Sequence, residues 1–174
     1  MSDTSEVMES TLSNINDWLK FAEAKNGALL ALNCALVFGV VRTLLGVDSL
    51  PNEVKYYGYF VIVQLLGSLI LSLLSILPRT TPPWWIRFPN KTENDNPLYF
   101  GDACKHSPKS YLNLILGELS ISKHEKIHEH LSHQIVINSK IAFIKYSQFN
   151  KSAWLLVSAF LTPIGAYILL MVKE

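Results

Sequence analysis

Three runs of apolar residues, separated by polar stretches of very unequal length, set the layout of the chain. The first, GALLALNCALVFGVVRTLLGV at 27–47, is interrupted only by Asn33 and Arg42. The second, YYGYFVIVQLLGSLILSLLSIL at 56–77, and the third, AWLLVSAFLTPIGAYILLMV at 153–172, carry no charge. Each matches the roughly 20 residues a helix needs to cross a hydrocarbon core about 30 Å thick. Tyr56, Tyr57 and Tyr59 stand at one end of the second run and Trp154 near the start of the third, where amphipathic rings favour the interface. The expectation is an all-α membrane protein with three transmembrane helices.

The polar stretches have helical periodicity of their own. Met8, Leu12, Ile15, Leu19 and Ala22 recur at steps of four and three, which predicts an amphipathic helix over 1–26. No Pro or Gly separates it from the first span, so the two are expected to be one helix. After the second span, PRTTPPWWIRFPNKTENDNP reads as a loop, with Trp84 and Trp85 suited to a bilayer interface. Ser107-Pro108 predicts a helix start, followed by Tyr111, Leu112, Ile115 and Leu119. Ser122-x-x-Glu125 matches a capping box, and Ile127, Leu131, Ile135, Asn138 and Ala142 fall on one face behind it. That helix has no proline before Pro163 and is expected to run into the third span. The first and third helices thus extend into a cytosolic helical bundle.

Charge orients this layout. Ten of the fifteen Lys and Arg residues lie in 78–152, and Lys20 and Lys25 lie in the leading helix. The positive-inside rule then places twelve of fifteen in the cytosol, with 48–55 as a periplasmic loop and a periplasmic C-terminus. A cleaved signal peptide is not expected, because the first run is long and follows a polar segment. The sequons at Asn90 and Asn150 would then face the cytosol and carry no weight. Net charge is +1, which does not suit a nucleic-acid partner. Two cysteines, Cys34 in an apolar run and Cys104 in a polar loop, do not suggest a disulfide framework.

One motif suggests chemistry. His124-Glu125-Lys126-Ile127-His128 is H-E-x-x-H, the helical pattern in which two histidines hold zinc and Glu activates water. Such a site needs a third protein ligand. From Ile135 to Lys173 there is no Asp, Glu, His or Cys, and Asp102 or Glu118 would have to serve in an unfamiliar arrangement. The competing reading is a capping box on a polar helix face, with no metal, no cofactor and no catalytic residues.

Four stretches, AEAKNGALLALNCAL at 22–36, NPLYFGD at 96–102, SYLNLI at 110–115 and LSHQIVINSKIAFIKYSQFNKSAWLL at 131–156, together resemble the transmembrane effectors of bacterial pyrimidine-cyclase antiphage (Pycsar) systems. The residues carrying the likeness are Lys25, Asn33, Tyr99, Phe100, Gly101, Gln134, Asn138, Lys140, Lys145 and Tyr146, with Glu23 where the family often has Asp. The resemblance implies a non-enzymatic, multi-pass protein of the bacterial inner membrane. It implies activation by cyclic UMP or cyclic CMP from a partner cyclase, followed by membrane impairment and abortive infection.

A sensor of that ligand needs a cation for the phosphate, an aromatic plane for the base and amide partners for its edge. Candidates are Lys105, Lys109, Lys140 and Lys145 for charge, Tyr99, Tyr111 and Tyr146 for stacking, and Gln134 and Asn138 for hydrogen bonds. Asn138 on an apolar stripe reads equally as a buried amide that fixes helix register. Three spans are too few to enclose a wide pore, so a homo-oligomer in the lipid bilayer is expected. A membrane metalloprotease and a ligand-free membrane adaptor are the rival functions.

Overall fold

The computed structural model describes residues 2–47, 50–78, 80–84, 86–119 and 125–173, with side chains from 4 to 162 of these. The described chain is helical. Five helices follow in order: α1 (Ser2–Gly46), α2 (Asn52–Ile76), α3 (Phe100–Ala103), α4 (Pro108–Glu118) and α5 (Lys126–Lys173). The leading amphipathic stripe and the first apolar run form one unbroken helix, α1. Likewise α5 passes without a break from the amphipathic stripe into the third apolar run. Pro51 sets the entry to α2, which therefore starts at Asn52, four residues before the apolar run.

The chain divides into two compact units. One comprises residues 1–22 and 78–146, the other 23–77 and 147–174. In the first, the core is Met8 and Ile15 of α1, Tyr111, Leu112, Ile115 and Leu116 of α4, and Leu131, Ile135, Val136 and Ala142 of α5. Phe100 and Ala103 of the single-turn α3 complete it. Each large apolar side chain removed from water contributes about 1.5–3 kcal/mol before ordering costs. Two ridges of α5 are buried, not the single predicted stripe. His128, Ser132, Val136 and Ser139 are covered together with Leu131 and Ile135, while Ile127 is 46% exposed. The cause is that α5 meets both α1 and α4, so its covered face is wider than one neighbour requires.

In the second unit Leu29, Val61, Leu65, Leu156 and Ala159 form a small apolar core, but polar residues are buried beside it and the surface is apolar, an inverted distribution. Asn33 of α1, Ser68 and Ser72 of α2 and Ser152 of α5 are all 0% exposed, whereas Phe38, Leu45 and Val63 are 68–79% exposed. Helices α1 and α2 are long and apolar enough to span a bilayer, and only 11% and 28% of their most apolar stretches are buried. Core helices of a soluble protein would be mostly covered; polar residues inside and apolar residues outside suit a lipid surround. Small residues permit this packing, since a Cβ on Gly58 of α2 would meet Leu44 Cδ2 of α1 at 2.7 Å. The predicted third span lies within α5, and its side chains from Pro163 onward are outside the described residues.

Candidate functional site

The first unit contains an open groove of about 590 Å³ between α4 and the start of α5. Lys109, Leu112 and Asn113 line it from α4, and Glu129, His130, Ser132 and His133 from α5. Two local devices set these walls. Helix α4 opens with Ser107, whose Oγ accepts the Ser110 N–H at 3.3 Å, and with Pro108 in the first turn. This directs the exposed Lys109 and Asn113 outward while Tyr111 and Leu112 turn into the core.

The start of α5 is held by His128, which is only 3% exposed. Its Nδ1 accepts the Glu125 N–H at 3.0 Å, and its Nε2 lies 3.0 Å from Ser5 Oγ of α1. An acceptor at Nδ1 assigns the proton of the neutral ring to Nε2. A side chain three residues into the helix thus returns to the backbone N–H ahead of it, the part expected of Glu125. The described helix begins at Lys126, so Glu125 precedes it, and among the described residues the bond to a backbone N–H at this helix start is made by His128. Both His128 ring nitrogens are engaged within the fold, and the ring does not lie on the polar face expected of it. Ser122 and His124 lie outside the described residues.

A buried carboxylate supports the loop before α4. The Asp95 side chain is 1% exposed and takes Lys105 Nζ at 2.7 Å, Thr92 Oγ1 at 2.5 Å, the Thr92 N–H at 3.1 Å and His106 Nε2 at 3.1 Å. Lys105 also pairs with Asp102 at 2.6 Å. Hydrogen bonding, first from Lys105 and then from Thr92, holds the Asp95 carboxyl far below the ordinary carboxylate range. The same contacts, led by Asp102, hold Lys105 protonated well above its ordinary value. His106 Nδ1 continues to Ser110 Oγ at 3.2 Å, and Lys91 Nζ donates to that oxygen at 2.9 Å.

Aromatic rings gather elsewhere in the unit. Phe100 stacks on Tyr146 with centroids 5.2 Å apart and meets Tyr99 at 4.8 Å and Trp18 at 5.7 Å. Gly101 is required beneath them, because a Cβ there would run into the Tyr99 ring.

The sequence candidates are therefore scattered. Lys109 alone lines the groove. Tyr99 and Tyr146 share the aromatic cluster; Tyr99 is 45% exposed, and burial raises the Tyr146 phenol above its ordinary value. Lys105 is committed to Asp95 and Asp102. Tyr111 is fully buried, with its hydroxyl on Pro97 O at 3.0 Å, so its ring is a core element and offers no open stacking face. Asn138 Nδ2 donates to Asn16 Oδ1 at 2.9 Å, pairing α5 with α1 as a register-fixing amide would. Lys140 lies over the Phe88 ring at 5.5 Å, Lys145 is buried at 3% exposure, and Gln134 is exposed. Sequence reasoning missed Asn113, His130, His133 and Asp95; the histidine density at 124–133 was the available signal.

All-helical structure among the described residues, two helices long and apolar enough to span a bilayer in the second unit, and a polar groove in the first together point to the class of helical membrane proteins. More narrowly, the chain belongs to the Pycsar effector family: the Pycsar effector protein domain matches residues 7–172. It is similar to the Pycsar effector protein PtPycTM of Propioniciclava tarda, 26% identical over 148 residues that cover 82% of this chain and 68% of the relative. It is also similar to the Pycsar effector protein RsPycTM of a Rhizobium species, 31% identical over 161 residues that cover 88% of each. No solved structure matches the chain. Membership of this family implies an effector of antiphage defence.

Proposed function

We propose that this protein is a non-enzymatic inner-membrane effector that binds cyclic UMP or cyclic CMP from a partner cyclase and then impairs the membrane. The α4–α5 groove carries the ligand reading. Its volume lies within the roughly 300–1,000 Å³ of small-molecule sites. Lys109 supplies positive charge for a cyclic phosphate, and the His130 and His133 imidazoles offer ring N–H donors beside it. Asn113 and Ser132 offer an amide and a hydroxyl to the base edge, and the Leu112 side chain gives an apolar face in place of an aromatic one.

The membrane part uses three spans, α1, α2 and the distal half of α5, with the N-terminus and residues 78–152 cytosolic and the C-terminus periplasmic. Several chains assemble, because three helices cannot enclose a wide pore. Equilibrium binding of both nucleotides to the purified protein tests the ligand. The expected result is binding of one or both, weakened about tenfold or more in Lys109→Ala, the loss of one charge-assisted contact. Absence of binding to either nucleotide refutes this reading and favours a ligand-free adaptor.

A further inference from the structure

Buried and half-buried polar residues of the second unit form a seam of three successive hydrogen-bonded groups. Asn33 Nδ2 donates to Ser68 Oγ at 2.8 Å, Ser68 Oγ lies 2.7 Å from Ser152 Oγ, and Ser72 Oγ lies 2.8 Å from the same atom. Ser152 Oγ also reaches Ser68 O at 2.7 Å. Farther along, Gln64 Oε1 accepts from Ser158, and Tyr57 OH donates to Ala159 O at 2.7 Å. From Tyr57 to Ser72 the helical rise is about 22 Å, most of a hydrocarbon core.

Two atoms make this more than interhelical glue. Asn33 Oδ1 and Gln148 Oε1 are enclosed and meet no hydrogen-bond donor among the described residues. A buried unpaired carbonyl costs about 1–3 kcal/mol, and lipid offers it no relief. Both orphans are acceptors, so their complement is a donor or a cation and not an anion. The seam residues named above offer neutral hydroxyl and amide oxygens, which suits a monovalent ion better than a divalent one.

We propose that this seam is a binding and transit site for a hydrated alkali cation, with Asn33 Oδ1 as its principal ligand. It deepens the membrane-impairment reading above, on which its transit part rests: within each chain of the assembly the damage is a narrow cation leak along α1, α2 and α5, and not passage through a wide pore. Gln148 and the serine hydroxyls replace part of the ion's water shell on the way.

Two measurements test it. The first uses no nucleotide. Full-length protein in detergent is melted in KCl and in choline chloride at equal ionic strength. A cation site raises the melting temperature in KCl, through linkage, by a difference that Asn33→Leu removes and Asn33→Asp, which keeps an oxygen ligand, retains. Equal melting in both salts, or a KCl effect unchanged in Asn33→Leu, overturns the site.

The second follows K⁺ efflux from vesicles carrying the protein with its bound nucleotide. Efflux should exceed Cl⁻ and large-dye release and fall about tenfold in Asn33→Leu and Ser152→Ala, while nucleotide affinity is unchanged. Efflux that is the same in all variants, or dye passing as readily as K⁺, overturns the path. Failure to bind nucleotide bears on the preceding reading alone, since the salt comparison stands without it.

Discussion

At the scale of residues, one imidazole ties the start of α5 to α1. His128 accepts the Glu125 N–H and meets Ser5 Oγ, so His128→Ala leaves a backbone donor and a hydroxyl without partners. The expected cost is about 1–3 kcal/mol. It is read as a lower denaturation midpoint and faster amide hydrogen exchange over 125–131; unchanged exchange there contradicts the capping role. Cys104 makes a second prediction. Burial pushes its thiol up to about 11, so alkylation at neutral pH is slow until the first unit unfolds. The folded state favours the protonated thiol. Its contribution is therefore complete below the unfolded value of about 8.5 and is lost as pH rises toward the folded value. Rapid labelling of native Cys104 at neutral pH contradicts this account.

At the scale of elements, the segment from Thr92 to Ser110 is held by charge more than by periodicity. Asp95 has its folded pKa depressed, so its contribution is present above the unfolded value of about 3.9 and is lost as pH falls through the folded one. Lys105 is raised, so its contribution holds below about 10.4 and is lost as pH rises through its folded value. Asp95→Asn should lower the denaturation midpoint at pH 7 and flatten its decline in acid. A variant with the parent's acid profile refutes the clamp. The sequence reading found the long helices because apolar residues recurred at helical spacing over many turns. It missed the single-turn α3 and the Asp95 clamp, since four residues give no period and a buried carboxylate has no one-dimensional signature. The groove was legible only in parts. Lys109 and the histidine-rich stretch each stood out, but which α4 residue faces which α5 residue depends on core packing between separate segments. Tyr111 was misjudged for that reason, because a tyrosine on a helix stripe can stack on a ligand or fill a core.

At the scale of the whole molecule, the inverted unit and the family membership together describe an effector built around bilayer-length helices. The proposed orientation predicts that single cysteines introduced into 86–99 of a cysteine-free background label only from the cytosolic side, and one after Lys173 only from the periplasmic side. The reverse pattern, or labelling of both from one side, contradicts three spans in that orientation. Assembly predicts a mass in detergent of several chains, and a monomer with and without nucleotide refutes it. The central claim is that a cyclic pyrimidine nucleotide converts this protein into an agent of membrane damage. Its most direct test is the membrane potential of cells that express the protein, before and after a pyrimidine cyclase is induced. The account predicts depolarisation with the cyclase, none without it, and a much reduced response in Lys109→Ala. A potential that persists while cyclic UMP or cyclic CMP accumulates contradicts it.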